Sequence, residues 1–491
     1  MRGCGRCHKR EVARPSRDAR MMRSANANIM QTGAPNTLPT TVPAMPLRAI
    51  TSCKRSGAAM SVRHIDSGGH ETDGASSQRK MMTNERGNAM NKWLARLCLA
   101  TGALVATAGM ASAAEIVKVG LIADFTGAFA NWGSQFQQAV EAFQAVNGKT
   151  VKGPDGKEIE IQYVYRDNAS AGPDKTKQLA EDLVLREKVK FLAGFDLSPH
   201  AMAVADIATQ AKVPVIIMNA ATASITRGSP YYVRVSMTIP QYVSPLPKWA
   251  YDHGIRKVYM LVSDYAPGYD AETYFAKGFK AAGGEIVGSV RMPQQETNYA
   301  AYMEKVLQAK PDAIFMFIPA GSPSIAFVKA YIERGLKAAG IKLLGTGETQ
   351  ELFLPNFTDD VIGAVSAFHY TETNTNPENI ALRKQLVKMF GEKATPDIAS
   401  VAAWDGTNLI YQAVAALGAN AEGIKYVDFL KGKTLNSPRG PIMIDPAERE
   451  VVQNIYIREV QKRDGKLVNV DIGQVDMVKD PWKIDNPPKS N

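Results

Sequence analysis

Small and polar residues that could bind a carboxylate follow two short apolar runs of the chain. Ser198 and Pro199 follow one run, and this pair is typical of a helix start, with Ser as the N-cap and Pro at the first helical position. The free N–H groups and the positive end of such a helix attract carboxylates. Ala220, Ala221 and Thr222 follow the next run, where small side chains let a ligand approach the backbone. Helix capping and a tight turn would each explain these residues without a ligand.

An aromatic side chain and two acids add further ligand chemistry. Trp132 lies in the Gly-containing loop 126–133 after the first apolar run, where an aromatic ring could cover an organic ligand. Asp264 and Glu348 follow strand-like segments in the second half of the chain. Acids at loop tips are usually solvated. Facing the donors described above, however, their carboxylates would suit a ligand that carries both signs of charge.

The segments around these residues alternate short β-branched runs with amphipathic stretches. Helices are predicted at 135–146, 274–282 and 325–339, because their apolar residues recur at helical spacing. Alternating strands and helices indicate parallel sheets flanked by helices, and ligands of such sheets bind beyond the carboxyl ends of the strands. The predicted strands are 117–123, 160–165, 190–194, 213–218, 257–262, 286–290, 313–318 and 342–344.

The length of this α/β region exceeds one comfortable hydrophobic core, so we predict two doubly wound, Rossmann-like lobes. The pattern changes near 237, 369 and 439, which predicts three crossings between the lobes. The predicted divisions are 115–236 and 369–438 for lobe 1, 237–368 and 439–480 for lobe 2, and a loose, Pro-containing tail at 481–491. Segments 454–460 and 467–470 are predicted to pair as antiparallel strands.

The N-terminal part of the chain has the layout of an export signal. Residues 90–96 are basic, an apolar run follows, and Ala111-Ser112-Ala113 is a small-x-small cleavage motif. We therefore predict a signal peptide at 90–114 and export to the periplasm. Residues 1–89 lack a sustained apolar period, which indicates a start codon assigned too early or a disordered extension.

Charge and cysteine content divide at the same place. Residues 1–114 contain 17 Lys and Arg against 6 Asp and Glu, which leaves 41 and 42 for residues 115–491. The net charge of +10 therefore belongs to the N-terminal part, and the exported region has no basic run that would predict a nucleic-acid partner. Cys4, Cys7, Cys53 and Cys98 all precede residue 115, so the exported region can form no disulfide.

A predicted ligand site in an exported chain is typical of a solute receptor. Two other classes of protein remain alternatives. An α/β enzyme would need a recognisable site, but the sequence has no Gly-x-Gly-x-x-Gly after its first strand, no P-loop and no Gly-x-Ser-x-Gly. A sensory module would need a signalling domain or a membrane span, and no later stretch of the sequence predicts either. The sequence therefore favours a binding protein without catalytic activity.

The chain resembles the periplasmic leucine/isoleucine/valine-binding proteins, the type I solute-binding proteins of ABC transporters. The resemblance rests on the order and spacing of segments 116–125, 191–198, 214–222, 264–270 and 439–446. It implies two lobes joined by three crossovers, a cleft that closes on its ligand, no cofactor, and membrane permease subunits as partners. We expect the protein to be a monomer.

The resemblance also implies roles for individual residues. Ser198 and the turn 220–222 would hold the α-carboxylate and ammonium of an amino acid, with Ala221 and Thr222 competing for one role. A tyrosine expected between Asp264 and Asp270 falls at Gly268 or Tyr269, and the acid expected near Glu348 is displaced by one position. The expected ligand is a small organic anion, first an amino acid and alternatively an aromatic acid, a dicarboxylate or an amide.

Overall fold

The computed structural model describes residues 115–488, and the predicted signal peptide and extension lie outside the described residues. Within residues 115–488, thirteen α-helices connect the strands or pack on the sheets described below. They are Ala130–Asn147 (α1), Pro173–Leu185 (α2), Ser198–Ala203 (α3), Ala205–Ala211 (α4), Ile239–Val243 (α5), Pro245–Asp252 (α6), Ala266–Ala281 (α7), Ala300–Ala309 (α8), Ser322–Glu333 (α9), Pro377–Phe390 (α10), Ile398–Leu417 (α11), Gly423–Leu430 (α12) and Pro481–Asp485 (α13).

The first sheet contains six strands, and its central strands are parallel. The strands are Glu115–Ala123 (β1), Thr150–Lys152 (β2), Glu158–Asp167 (β3), Phe191–Gly194 (β4), Val215–Ile217 (β5) and Tyr232–Arg234 (β6). Their order is β2-β3-β1-β4-β5-β6, and β1, β4 and β5 pair in parallel. The loops after β1, β4 and β5 therefore meet at one edge of this sheet, as the sequence predicts.

The second sheet contains nine strands and combines parallel with antiparallel pairing. The strands are Lys257–Ser263 (β7), Glu285–Met292 (β8), Ala313–Phe317 (β9), Lys342–Gly345 (β10), Val365–Phe368 (β11), Thr434–Ser437 (β12), Gly440–Ile444 (β13), Val451–Arg463 (β14) and Lys466–Val478 (β15). Parallel pairing of β7, β9 and β10 places the loops after these three strands together. The predicted antiparallel pair is confirmed, in longer form, as β14 and β15.

The two sheets define two lobes, between which the chain passes three times. Lobe 1 contains the first sheet with α1–α4 and α10–α12, whereas lobe 2 contains the second sheet with α5–α9 and α13. The first two passages lie after β6 and after β11, close to the predicted positions. The third lies before Thr434 instead of at 439, because β12 already pairs with β13 of the second sheet.

Two further local differences from the sequence predictions have clear causes. The helix predicted at 325–339 ends at Glu333, because Gly335 just beyond it has a φ of +70°, and turns continue through Gly340. The start of the tail, residues 481–483, is packed against the protein, whereas residues 484–488 are exposed. Asp480 caps α13 through Trp482 N, and the buried ammonium of Lys483 bonds to Glu450 at 3.2 Å. Within 115–488, no helix has both the length and the apolarity to cross a membrane.

Candidate functional site

A cavity lies between the lobes, at the carboxyl ends of the parallel strands. It encloses about 460 Å³ of space free of protein atoms, part of which is open to solvent. Both lobes contribute walls, so the site requires the lobes to be together. The lining residues are Trp132, Asp196, Leu197, Ser198, Asn219, Ala221, Met237, Ile239, Tyr242, Tyr265, Pro267, Phe317, Ile318, Pro319, Ala320, Thr346, Gly347, Phe368 and Ile398.

Ser198 is hydrogen-bonded to the turn 220–222, a second predicted ligand-binding segment of lobe 1. Its Oγ accepts hydrogen bonds from Ala221 N at 3.1 Å and Thr222 N at 3.0 Å, and the residue is buried. The helix starts one residue earlier than predicted, since Leu197 is the N-cap and Ser198 is already helical. The Ser198 hydroxyl therefore fixes the neighbouring turn instead of capping α3. Its own hydrogen is left available to a molecule in the cavity.

Two further polar atoms at the cavity have no partner among the described residues. Trp132 is 3% exposed and its Nε1–H is unpaired. Asn219 donates from Nδ2 to the carbonyl oxygen of Asp196 at 2.6 Å, which leaves its Oδ1 buried and unpaired. Unpaired buried polar groups are costly unless a ligand or water satisfies them. Lobe 1 thus offers the cavity one indole donor and one amide acceptor in addition to Ser198, and the amide was not recognised from the sequence.

Aromatic rings form much of the remaining wall. Tyr265 and Phe317 stack with ring centroids 6.2 Å apart, and Tyr242 meets Phe368 edge to face at 5.2 Å. These rings come from four separate segments of lobe 2. No local spacing in the sequence links them, so they were not predicted as site residues.

Glu348 lies behind the lobe 2 wall instead of at its surface. Its carboxylate accepts hydrogen bonds from Ile318 N at 2.8 Å and Thr346 N at 2.6 Å. The two loops that carry these donors both line the cavity, whereas Glu348 does not. Burial raises the pKa of the Glu348 carboxyl to about 7. Its position indicates that it holds the two loops together.

The structure does not bring Asp264 and Tyr269 to the cavity. Both are exposed, and the Tyr269 hydroxyl donates to Asp264 Oδ1 at 2.7 Å. The guanidinium of Arg291 lies over the Tyr269 ring, 4.4 Å from its centroid. These residues form an outer surface cluster of lobe 2, and neither lines the cavity.

Contacts on two sides of the cavity join the lobes directly. On one side Asp270 of lobe 2 accepts a hydrogen bond from Thr222 Oγ1 at 2.8 Å. On the other, Ser322 N donates to the carbonyl of Ala128 at 3.4 Å, beside Gly321. Gly321 has a φ of +154°, and a Cβ built there would lie 2.7 Å from the Ala128 oxygen. The two lobes are therefore in direct contact beside the cavity.

A buried cluster of Asp124, Asp196 and His200 extends into lobe 1 from the cavity wall, which Asp196 lines. Asp196 Oδ1 bonds to His200 Nδ1 at 2.8 Å, and its Oδ2 accepts from Asp124 N at 2.8 Å. Burial, followed by the Asp196 charge, raises the pKa of Asp124 to about 6. Burial opposes the charge on His200, but the bond to Asp196 leaves the pKa of His200 above its ordinary value. The side-chain atoms of all three residues that could coordinate a metal ion lie close together. Asp196 Oδ1 and His200 Nδ1, however, already bond to each other.

The electrostatics of the cavity follow from these arrangements. Among the described residues that line it, Asp196 is the one ionisable acid or base apart from two tyrosines. Both Asp196 oxygens are engaged in hydrogen bonds, Oδ1 with His200 Nδ1 and Oδ2 with Asp124 N. The site therefore combines aromatic walls and neutral hydrogen-bond donors, which suit a flat organic molecule with an anionic group.

Two α/β lobes, three connecting passages and a ligand-sized cleft between them define a two-lobed solute-binding protein of type I. The chain belongs to the periplasmic binding protein family, whose model with the description "Periplasmic binding protein" matches residues 116–466. This family membership confirms the resemblance found from the sequence.

Known proteins of the same kind extend the comparison. The Leu/Ile/Val-binding protein homolog 6 of Brucella melitensis is 40% identical over 388 residues, covering 79% of this chain and 98% of that protein. An R. palustris ABC transporter solute-binding protein in complex with 4-hydroxybenzoate is 42% identical, with a TM-score of 0.73, and covers 76% of this chain and 100% of its own. Another, from Rhodopseudomonas palustris BisB5 with 3,4-dihydroxybenzoic acid, is 41% identical with a TM-score of 0.71, covering 75% and 99%.

Proposed function

We propose that this protein is the extracytoplasmic receptor of an ABC importer and that its ligand is a small aromatic carboxylate. The observation that carries the proposal is the cavity itself, which has aromatic walls and no acid with a free oxygen among its described lining residues. An amino acid needs a partner for its ammonium, whereas an aromatic acid does not. The two similar R. palustris proteins are described with hydroxylated benzoates bound, which supports this ligand class.

The polar atoms of lobe 1 suggest how the ligand lies. Its carboxylate would accept hydrogen bonds from the Ser198 hydroxyl and the Trp132 indole N–H, because both donors are buried beside the cavity. Its ring would lie against Phe317 and Tyr265. In this arrangement the turn 220–222 would position Ser198, with Ala221 in contact with the ligand and Ala220 and Thr222 behind it.

The expected amino acid is the second candidate ligand. The name of the Brucella relative favours it. The sequence-based prediction assigned the balancing charge to Asp264 or Glu348, but Asp264 is exposed outside the cavity and Glu348 lies behind its wall. An amino acid would therefore have to place its ammonium against backbone carbonyls or Asn219 Oδ1.

A ligand series on the purified protein tests the proposal. Calorimetry should show binding of 4-hydroxybenzoate and benzoate and no binding of leucine. Asp264→Asn is a discriminating variant, because it should leave the affinity for 4-hydroxybenzoate unchanged. Leucine binding without aromatic-acid binding, together with a loss of affinity in Asp264→Asn, would establish the amino-acid candidate instead.

The transport role implies a cellular location and partners that can be tested separately. We propose that the signal peptide 90–114 directs export, that cleavage follows Ala113 or Ala114, and that the closed receptor delivers its ligand to permease subunits. N-terminal sequencing of periplasmic protein should begin near Ala114 or Glu115. Peptides from residues 1–80 in the exported protein would contradict this processing.

A further inference from the structure

The carboxylate of Asp270 in lobe 2 accepts hydrogen bonds from the end of the turn 220–222 and the residue after it in lobe 1. Asp270 lies in α7, and its Oδ2 accepts both Thr222 Oγ1 at 2.8 Å and Ala223 N at 3.0 Å. Bonds to an ionised acceptor are stronger than neutral ones. This single carboxylate therefore joins the two lobes beside the cavity through two charge-assisted hydrogen bonds.

The same turn is held from the opposite side by a buried arginine of its own lobe. Arg234 is fully buried, and its Nη1 donates to the carbonyls of Ala220 at 2.9 Å and Thr222 at 2.8 Å. Glu450 fixes the guanidinium through two bonds of 2.6 Å. The carbonyls of the turn face Arg234. The backbone N–H groups of the turn are therefore directed the other way, at Ser198 and Asp270. The donors that Asp270 binds are thus held in place by Arg234 of lobe 1, which is itself fixed by Glu450 in the β13–β14 connection of lobe 2.

We propose that Asp270 is an interlobe latch that holds the cleft shut and sets the residence time of the ligand. Its two partners belong to lobe 1, so both bonds must break when the lobes separate. Asp270 does not line the cavity, and its effect is therefore exerted on the closed form rather than through contact with the ligand.

The latch has a specific kinetic consequence. A ligand enters the open cleft before the Asp270 bonds form, so losing them should leave the association rate nearly unchanged. Release requires opening, so the dissociation rate should rise by about tenfold to a hundredfold, the range expected for hydrogen bonds to a charged group. A residue that only stabilised lobe 2 would change the melting temperature without this division between the two rates.

Stopped-flow binding of 4-hydroxybenzoate, followed by intrinsic tryptophan fluorescence, tests the proposal. Asp270→Asn and Thr222→Val should each speed dissociation, and Thr222→Val should have the smaller effect because it leaves the bond from Ala223 N intact. The double variant should dissociate about as fast as Asp270→Asn alone, because the Thr222 bond depends on the Asp270 carboxylate. Glu272→Gln is the matched control: it removes an equal charge from α7, where Glu272 bonds to Ser289 and Arg291 within lobe 2. A dissociation rate in Asp270→Asn equal to that of Glu272→Gln would overturn the latch.

A second measurement separates the latch from the identity of the ligand. Residues 115–491 contain no cysteine, so spin labels at Lys177→Cys on α2 and Lys305→Cys on α8, both exposed, would report the distance between the lobes. Asp270→Asn should shift the distance distribution towards the open form relative to Glu272→Gln, with or without 4-hydroxybenzoate. If the probe does not bind, the proposed ligand is wrong and the ligand-free distributions decide the latch. Identical distributions in both variants would refute it.

Discussion

Replacing Ser198 with alanine tests the centre of the site most directly. The change removes a buried oxygen that accepts hydrogen bonds from Ala221 N at 3.1 Å and Thr222 N at 3.0 Å. It also removes the hydroxyl hydrogen proposed to bind the ligand carboxylate. Ser198→Ala should therefore reduce both the stability of the ligand-free protein and its affinity for 4-hydroxybenzoate.

The two effects have separate magnitudes. A buried group left without its partner costs about 1–3 kcal/mol, so the loss of an acceptor for two buried N–H groups should lower the melting temperature by a few degrees. The missing donor to the ligand should cost a further amount of about 1–3 kcal/mol, which is about a fivefold to hundredfold increase in Kd.

Differential scanning calorimetry and titration calorimetry measure these two quantities on the same samples. Ser224→Ala is the matched control, since Ser224 lies just beyond the same turn, is half-exposed, and makes no side-chain hydrogen bond to the described residues. A folded Ser198→Ala protein with the Kd of the wild type would refute the placement of the carboxylate. An unchanged melting temperature would refute the role assigned to Ser198 in holding the turn.

Other features of the structure give three further predictions. Gly321→Ala should weaken ligand affinity about tenfold or more by obstructing closure, because the clash of its Cβ with the backbone cannot be relieved by a rotamer change. Gly172→Ala, whose Cβ would meet open space, should leave the affinity unchanged, and equal affinities of the two variants in calorimetry would contradict this prediction. The raised pKa of Glu348 means that its stabilising contribution is complete below about pH 4.5 and is lost as the pH rises through about 7. The melting temperature should therefore fall less across this pH range in Glu348→Gln than in the wild type, and equal falls would refute this prediction. Lys483→Ala should destabilise the protein by about 1–3 kcal/mol in denaturant titrations, because it removes a buried partner of Glu450. The exposed Lys479→Ala is the control, and equal midpoints of the two variants would show that the tail contributes little.

The regular elements of this protein were predictable because their signals are local. Each predicted strand coincides with an observed one to within about two residues at most ends, since apolar periodicity depends on neighbours in the sequence. The edge of each sheet at which loops gather was predictable for the same reason, because parallel pairing follows from alternating strands and helices.

Side-chain directions at that edge depend on contacts between distant segments. Glu348 follows a strand much as Asp264 does, yet Glu348 is turned inward by two backbone donors, while Asp264 faces solvent and bonds to Tyr269. The sequence treats the two acids alike. Burial and the positions of the neighbouring loops decide between them.

The sequence by itself determined the class of the fold, its two lobes, and Ser198 and Trp132 as candidates for the ligand site. Only the tertiary structure decided that the site is a cavity with aromatic walls, that both oxygens of Asp196 are hydrogen-bonded within lobe 1, and that Asp270 reaches across to the turn of the other lobe. The physical reason is that secondary structure arises from short-range periodicity. A cleft, in contrast, is formed by residues that meet only after both lobes have folded and come together.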